Sequence, residues 1–245
     1  MRISELNPRL KTRNSRFNRV LAFILAAVGS LGAVGCGAYE PPPNPVVMQA
    51  EDPDFVCVIM LDVSGSYESK MLDDGKAWKA IMNLLQEFYR NRANENDVLV
   101  IGQIGAPGHA APLFEGSPRA FRKTFGDPAS FRTFLKANSS SQGSRIFDSI
   151  CDVLSYTSGR MSGKTKAGVF LFTDFEDNAS APGGEERFVQ TMTDFGKRGQ
   201  VSVGCYWVGM NELAKVDRDL RRTGIKNFVV DSSITAEPRL PHFES

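Results

Sequence analysis

The stretch Phe55-Val-Cys-Val-Ile-Met-Leu61, followed at once by Asp62-Val-Ser64-Gly-Ser66, is the strongest structural signal in the chain. Seven apolar residues between polar neighbours are typical of a strand buried on both faces of a parallel sheet. Ligands of open α/β sheets gather just beyond the carboxyl ends of such strands. The sequence places a carboxylate and two hydroxyls there. Hard oxygen donors of this kind suit Mg²⁺ or Ca²⁺ better than zinc or copper.

Strand and helix patterns alternate along the rest of the chain. Apolar runs predict strands at 55–61, 97–104, 110–114, 167–173, 201–208 and 227–231. Apolar residues at helical spacing predict helices at 78–89, 131–135, 146–154, 188–195 and 213–220. The short turn at 105–109 indicates that the third strand is antiparallel. We therefore predict an α/β fold, a doubly wound, mostly parallel sheet of about six strands with one short antiparallel edge strand and helices on both faces.

Two other loops offer oxygen ligands. Asp174 follows the strand predicted at 167–173, and Ser144 follows a glycine at the entry to a helix. Ser139, Ser140 and Ser141 are alternatives to Ser144, although its register with the following helix favours Ser144. Each of these residue types also occurs in ordinary turns and helix caps, so only their joint position at the ends of buried elements indicates a metal site.

In order and context these residues resemble the von Willebrand factor type A family and its metal-ion-dependent adhesion site. The positions that match the family's motifs are Asp62, Ser64, Ser66, Ser144, Thr173 and Asp174. Ser144 stands where the family usually has threonine, and Phe175 replaces the glycine of its Thr-Asp-Gly motif. The resemblance implies that the three serines bind the ion directly and the two aspartates partly through water. It also implies that the first and fourth strands are neighbours, which would bring Asp62 and Asp174 to one crevice.

The predicted ligand set suggests a binding function rather than a reaction. Two carboxylates and three hydroxyls leave the six-coordinate shell of Mg²⁺ (or of Ca²⁺ or Mn²⁺) incomplete, so a partner protein could supply a carboxylate. We therefore expect a cation-dependent adhesion or assembly module that is not an enzyme. One alternative is a metal-assisted hydrolase or phosphotransferase that uses Asp62 as a nucleophile. Another is a scaffold with the same fold and no working ion.

The N-terminal residues predict export to a bacterial envelope. Residues 1–35 combine a basic segment with an apolar segment too short for a comfortable membrane span, which is typical of a signal peptide. The small residue before Cys36 resembles a lipobox, which implies cleavage there and lipidation of Cys36. The proline-rich residues 36–53 then form a tether, 54–233 the von Willebrand A-like domain, and 234–245 a C-terminal tail. The lipid would anchor the domain to a membrane, in the periplasm or outside the cell.

Charge and cysteine content narrow the function further. Removal of residues 1–35 takes away six basic side chains and one acidic side chain, which leaves 23 basic against 27 acidic residues and a net charge of −4. Nucleic-acid binding is therefore not expected. Cys57, Cys151 and Cys205 lack metal-ligand spacing and are predicted to be buried apolar side chains. The sequence leaves open whether two of them form a disulfide.

Overall fold

The centre of the fold is a sheet whose middle strands are buried on both faces. The computed structural model describes residues 52–63, 75–92, 96–105, 112–138, 145–233 and 237–243. Within these ranges one six-stranded sheet is present. Its strands are β1 Phe55–Asp62, β2 Val98–Ile104, β3 Phe114–Gly116, β4 Lys166–Phe172, β5 Gln200–Tyr206 and β6 Asn227–Asp231. Every residue of β1 is buried, as its continuous apolar run predicted, and every residue of β2 is buried too.

The strand order is β3-β2-β1-β4-β5-β6. All neighbouring strands are parallel except β2 and β3, which are antiparallel. The chain builds the sheet outward from β1 on one side and then from β4 on the other, so the order reverses between these two strands. A crevice at the carboxyl ends of the strands is expected at such a point of reversal. The predicted doubly wound fold, with its single antiparallel edge strand, is confirmed.

Helices cover both faces of the sheet. They are α1 Lys76–Asn91, α2 Pro118–Phe125, α3 Pro128–Ala137, α4 Ile146–Ser158, α5 Gly184–Gly196 and α6 Leu213–Arg222. Alternate residues of β1 serve the two faces: Ile59 and Leu61 join a core with α1, α2 and α3, whereas Val58 and Met60 join a core with α4, α5 and α6. This two-sided burial explains why β1 contains no polar residue before Asp62.

Three elements differ most from the sequence-based expectation. The antiparallel strand is Phe114–Gly116; of the predicted 110–114, residues 112 and 113 precede the strand, and 110–111 lie outside the described residues. Pro112 has no N–H to donate to a ladder. Helix α2 was not predicted, although Ser117 accepts a hydrogen bond from the Ala120 N–H (3.2 Å) as its N-cap and proline follows at the first helical position. Strand β5 ends at Tyr206 because the next residue, Trp207, adopts a positive φ of 61°.

The residues near the C-terminus are part of the packed domain. In the segment 237–243, the Leu240 side chain is buried and its N–H donates to Glu87 Oε2 at 3.2 Å. The Phe243 ring lies 6.2 Å from the Phe55 ring, edge to face. Part of the predicted C-terminal tail therefore covers the same side of the sheet as α1.

The three cysteines of the domain are buried free thiols, as predicted, and no disulfide joins them. Burial raises the pKa of the Cys57 and Cys205 thiols, which keeps them neutral and unreactive. None of the described helices is long and apolar enough to span a membrane.

Candidate metal centre

The carboxyl ends of β1 and β4 are joined by a buried hydrogen bond. Asp62 is the last residue of β1 and is 0% exposed. Its Oδ2 accepts a hydrogen bond from Thr173 Oγ1 at 2.8 Å. The register explains this contact, because Leu61 pairs with Phe172 and the next residue of each strand therefore lies opposite the other. The strand order thus places Asp62 beside the Thr173-Asp174 pair, as the family resemblance implied.

Asp174 follows Thr173 directly and is held by two backbone hydrogen bonds. Its Oδ1 accepts from the Glu176 N–H at 3.0 Å, and its carbonyl oxygen accepts from the Gly209 N–H at 2.8 Å. Glycine at 209 favours this approach, because a Cβ there would lie 3.0 Å from the Asp174 carbonyl oxygen, a tight contact that needs a small shift of the backbone. The Asp174 side chain is partly exposed, so one carboxylate at this edge is buried and its neighbour is open to solvent.

Phe175 keeps the backbone conformation for which glycine is usually chosen. Its φ is 62°, in the left-handed region, and its N–H donates to Thr173 Oγ1 at 3.2 Å. A side chain in this region costs about 1–2 kcal/mol. The ring is 1% exposed and lies 6.4 Å from the rings of Phe147 and Phe188. Burial of an aromatic side chain contributes about 1.5–3 kcal/mol, which offsets the strain. The tight turn is therefore compatible with phenylalanine at this position.

This balance predicts an unusual order of stability for two variants at position 175. Both Phe175→Ala and Phe175→Gly lose the buried ring, but only glycine relieves the positive φ. Urea unfolding should therefore find Phe175→Gly about 1 kcal/mol more stable than Phe175→Ala. At Phe188, buried within α5, the order should reverse, because glycine in a helix is about 1 kcal/mol worse than alanine. The same order at both positions would contradict the proposed strain.

The loop after β4 is tied to the start of α4 by Asp177. Its Oδ2 accepts from the Phe147 N–H at 3.0 Å, and its Oδ1 accepts from the Ala179 and Ser180 N–H groups at 3.1 and 2.8 Å. The Ser180 hydroxyl in turn accepts from the Asp148 N–H at 3.2 Å. These contacts satisfy N–H groups of the first turn of α4 that would otherwise lack partners. The cap is thus supplied from a loop about 30 residues away in the chain.

Asp148 joins the same two segments, but here the carboxylate belongs to α4 and the backbone N–H to the loop after β4. Its carboxylate, 3% exposed, accepts hydrogen bonds from Arg145 (Nε–Oδ2 3.0 Å), from the Ala181 N–H (3.2 Å) and from Arg187. Burial would raise the pKa of Asp148, but the Ala181 N–H and the two guanidinium groups outweigh it and hold the pKa below its ordinary value of 3.8. Asp148 and Asp177 therefore fix the first turn of α4 relative to the loop that follows Asp174.

Part of the predicted ligand set can be placed and part cannot. Asp62 and Asp174 lie at adjacent strand ends. The other predicted site residues lie outside the described residues. They are the serine ligands Ser64, Ser66 and Ser144, the alternative serines at 139–141 and the lipidation site Cys36. Across the described ranges, no group of three or more His, Cys, Asp or Glu side chains could hold a metal ion. The metal site therefore stays a prediction that depends on the three hydroxyls.

Comparisons with known proteins return structural similarities only. No protein-family model matches the sequence, and no curated protein matches it. The fold is similar to a von Willebrand factor type A protein from Catenulispora acidiphila, with 11% identity, a TM-score of 0.43, and coverage of 75% of this chain and 39% of that chain. It is also similar to the pilus adhesin SpaC from Lactobacillus rhamnosus GG, with 11% identity, a TM-score of 0.49, and coverage of 75% and 28%. The chain thus spans less than two fifths of the length of either protein.

Proposed function

We propose that the chain is a divalent-cation-dependent protein-binding module of the von Willebrand A type. The ion, Mg²⁺ or alternatively Ca²⁺ or Mn²⁺, would be held by Asp62, Ser64, Ser66, Ser144 and Asp174. The observation that supports this most directly is the fully buried Asp62 carboxylate, which is bonded to Thr173 at the point where the strand order reverses. A carboxylate in such a place is best stabilised by a nearby cation.

The chemistry of the donor set favours binding over catalysis. Hydroxyl ligands are neutral, so an ion held by three serines and two aspartates retains a strong attraction for another anion. Mg²⁺ prefers six oxygens at about 2.1 Å, and a sixth position is left for water or for an incoming carboxylate. An aspartate or glutamate of a partner protein fits that position. The proposal includes no reaction of the bound partner.

The proposed location is the bacterial envelope. Lipidation of Cys36 would anchor the chain, and the proline-rich residues up to 53 would separate the domain from the membrane surface. With about 18 residues of tether, of which several are proline, the binding edge could reach tens of ångströms from the lipid. The partner would then be a protein of the envelope or of a neighbouring surface.

Calorimetry of Mg²⁺ binding to the full chain tests the metal site. We expect Asp62→Ala and Asp174→Ala each to weaken Mg²⁺ binding by about tenfold or more, because each removes charge beside the ion. Asp152→Ala is the matched control, since Asp152 is an exposed aspartate of α4 away from this edge. Identical titrations for the wild type and Asp62→Ala would end the metal proposal.

Capture of partners from envelope extract tests the binding function. The wild-type chain should retain a partner in Mg²⁺ and release it with a chelator, whereas Ser64→Ala combined with Ser66→Ala should retain none. Retention that ignores the chelator would favour a scaffold without an ion. Hydrolysis of a phosphate ester by the wild type, lost in Asp62→Asn, would instead favour the enzymatic alternative.

A further inference from the structure

A cavity of about 600 Å³ opens between α1 and the α2–α3 segment. This volume falls within the range of small-molecule sites in proteins, about 300–1,000 Å³. The apolar side chains that line it are Met82, Leu85, Phe121, Phe125 and Phe131. None of the residues that line it belongs to the proposed metal site, so any ligand bound here would be independent of the cation.

The apolar wall of the cavity is a preformed aromatic cluster. The Phe121 and Phe125 ring centroids are 4.7 Å apart, Phe125 and Phe131 are 5.0 Å apart, and Phe121 and Phe131 meet edge to face at 5.1 Å. Rings that already pack against one another lose little conformational entropy when a ligand binds. The wall is therefore suited to a flat apolar group.

The same cavity contains a polar group whose hydrogen bonding is incomplete. The Tyr89 hydroxyl is buried and has no hydrogen-bond partner in the part of the chain that the structure describes. Buried hydroxyls almost always have a hydrogen-bond partner. A ligand that offers an acceptor would therefore complete the hydrogen bonding of the Tyr89 hydroxyl. Burial raises the pKa of Tyr89, and the positive charge of Arg122 opposes that rise.

The charged residues around the cavity favour an anion. Arg90 and Arg122 both line it, both are exposed, and neither forms an ion pair with any described residue. The one carboxylate in the lining, Asp127, is already engaged as the N-cap of α3, where it accepts from the Ser130 N–H at 2.8 Å. The cavity thus combines an apolar wall, two unpaired cations and an unmatched hydroxyl donor.

We infer that this cavity binds a small amphipathic carboxylate. Its flat apolar part would lie on the Phe121–Phe125–Phe131 cluster, and its carboxylate would accept hydrogen bonds from the Arg122 guanidinium and the Tyr89 hydroxyl. A guanidinium and a hydroxyl together match the two oxygens of one carboxylate. Arg122 and Gln86 both line the cavity and are exposed. This second site goes beyond the proposed cation-dependent function and does not depend on it.

Naphthalene-2-carboxylate and its neutral isostere naphthalene-2-carboxamide are the probes that test the inference. Calorimetry with the full chain should give a Kd on the order of 0.1 mM for the carboxylate and binding weaker by about tenfold for the carboxamide. Arg122→Gln should abolish the preference for the carboxylate, and Tyr89→Phe should weaken carboxylate binding by about fivefold. Lys123→Gln, which removes an exposed cation of the same helix outside the cavity lining, should leave both affinities unchanged.

Three outcomes would overturn the inference. They are absence of carboxylate binding at millimolar concentration, equal affinity for the two probes, and an equal loss of preference in Lys123→Gln and Arg122→Gln. Circular dichroism of each variant verifies that the fold is intact; Tyr89→Phe keeps the ring and removes only the unmatched hydroxyl. Addition of Mg²⁺ or a chelator should not alter the affinity, which separates this site from the proposed metal centre.

Discussion

Replacing Asp148 by asparagine is expected to lower the free energy of unfolding by about 3 kcal/mol. The change leaves the side chain the same size but removes the charge that accepts hydrogen bonds from Arg145, Arg187 and the Ala181 N–H. Asparagine can accept through one oxygen only, and its NH₂ group would face at least one of these donors. Hydrogen bonds to charged partners contribute about 1.5–3 kcal/mol each, so the loss of this network is large. Urea unfolding of the full chain measures the effect.

The pH dependence of this difference gives a second measure. The pKa of Asp148 is held below 3.8 in the folded chain, so its contribution to stability is fully present above that pH and is lost as the pH falls through the folded value. The gap in unfolding free energy between wild type and Asp148→Asn should therefore narrow below about pH 4. Asp152→Asn, on the exposed side of the same helix, should change stability by less than about 0.5 kcal/mol. A gap that does not change with pH would show that Asp148 acts through packing and not through charge.

Strands β1 and β4 illustrate what the sequence can predict about the site. A run of apolar residues such as Phe55–Leu61 has one stable solution in a doubly wound sheet, the buried centre, and the residue after it must then lie at the carboxyl edge. The same logic holds for Asp174 after β4. Only the family resemblance implied that these two strands are neighbours, and the strand order and the hydrogen bond from Thr173 to Asp62 confirm that they are.

The short elements at the sheet edge are harder to predict. Strand β3 contains three residues, and its position depends on pairing with β2 more than on any local pattern. Helix α2 contains eight residues, and its apolar positions are too few to establish a helical period. Its start was nevertheless encoded, because Ser117 followed by Pro118 is a typical N-cap and first helical residue.

Asp148 and Asp177 could not be assigned from the sequence at all. Each acts on a backbone segment about 30 residues away, and such pairing depends on the exact approach of a loop to a helix. In the sequence, Asp177 is one of several acidic residues in a loop, and Asp148 is a single carboxylate in an otherwise apolar helix start. The structure shows that they tie the first turn of α4 to the loop that follows β4.

Mg²⁺ is expected to reverse the order of stability of the wild type and Asp62→Asn. Without metal, the variant removes a charge from a fully buried position and keeps an oxygen that can accept from Thr173, so it should be at least as stable as the wild type. In Mg²⁺ at about 100 times its Kd, the wild type gains about 2.7 kcal/mol because the ion binds only the folded state. For a domain of this size that corresponds to an increase in Tm of roughly 5–10 °C.

An aspartate with a structural role alone would not make the order of the wild-type and Asp62→Asn melting temperatures depend on Mg²⁺. A residue that only supports the fold would make Asp62→Asn less stable by the same amount with and without Mg²⁺, and that result would contradict the proposed metal centre. Thermal melts in MgCl₂, in CaCl₂, in KCl of equal ionic strength and in a chelator separate specific binding from screening, since screening acts equally on both chains. Because Asp62 lies at the strand end and not in a loop, the variant should keep the β1–β4 register. Any loss of the Mg²⁺ response can then be attributed to the missing carboxylate charge.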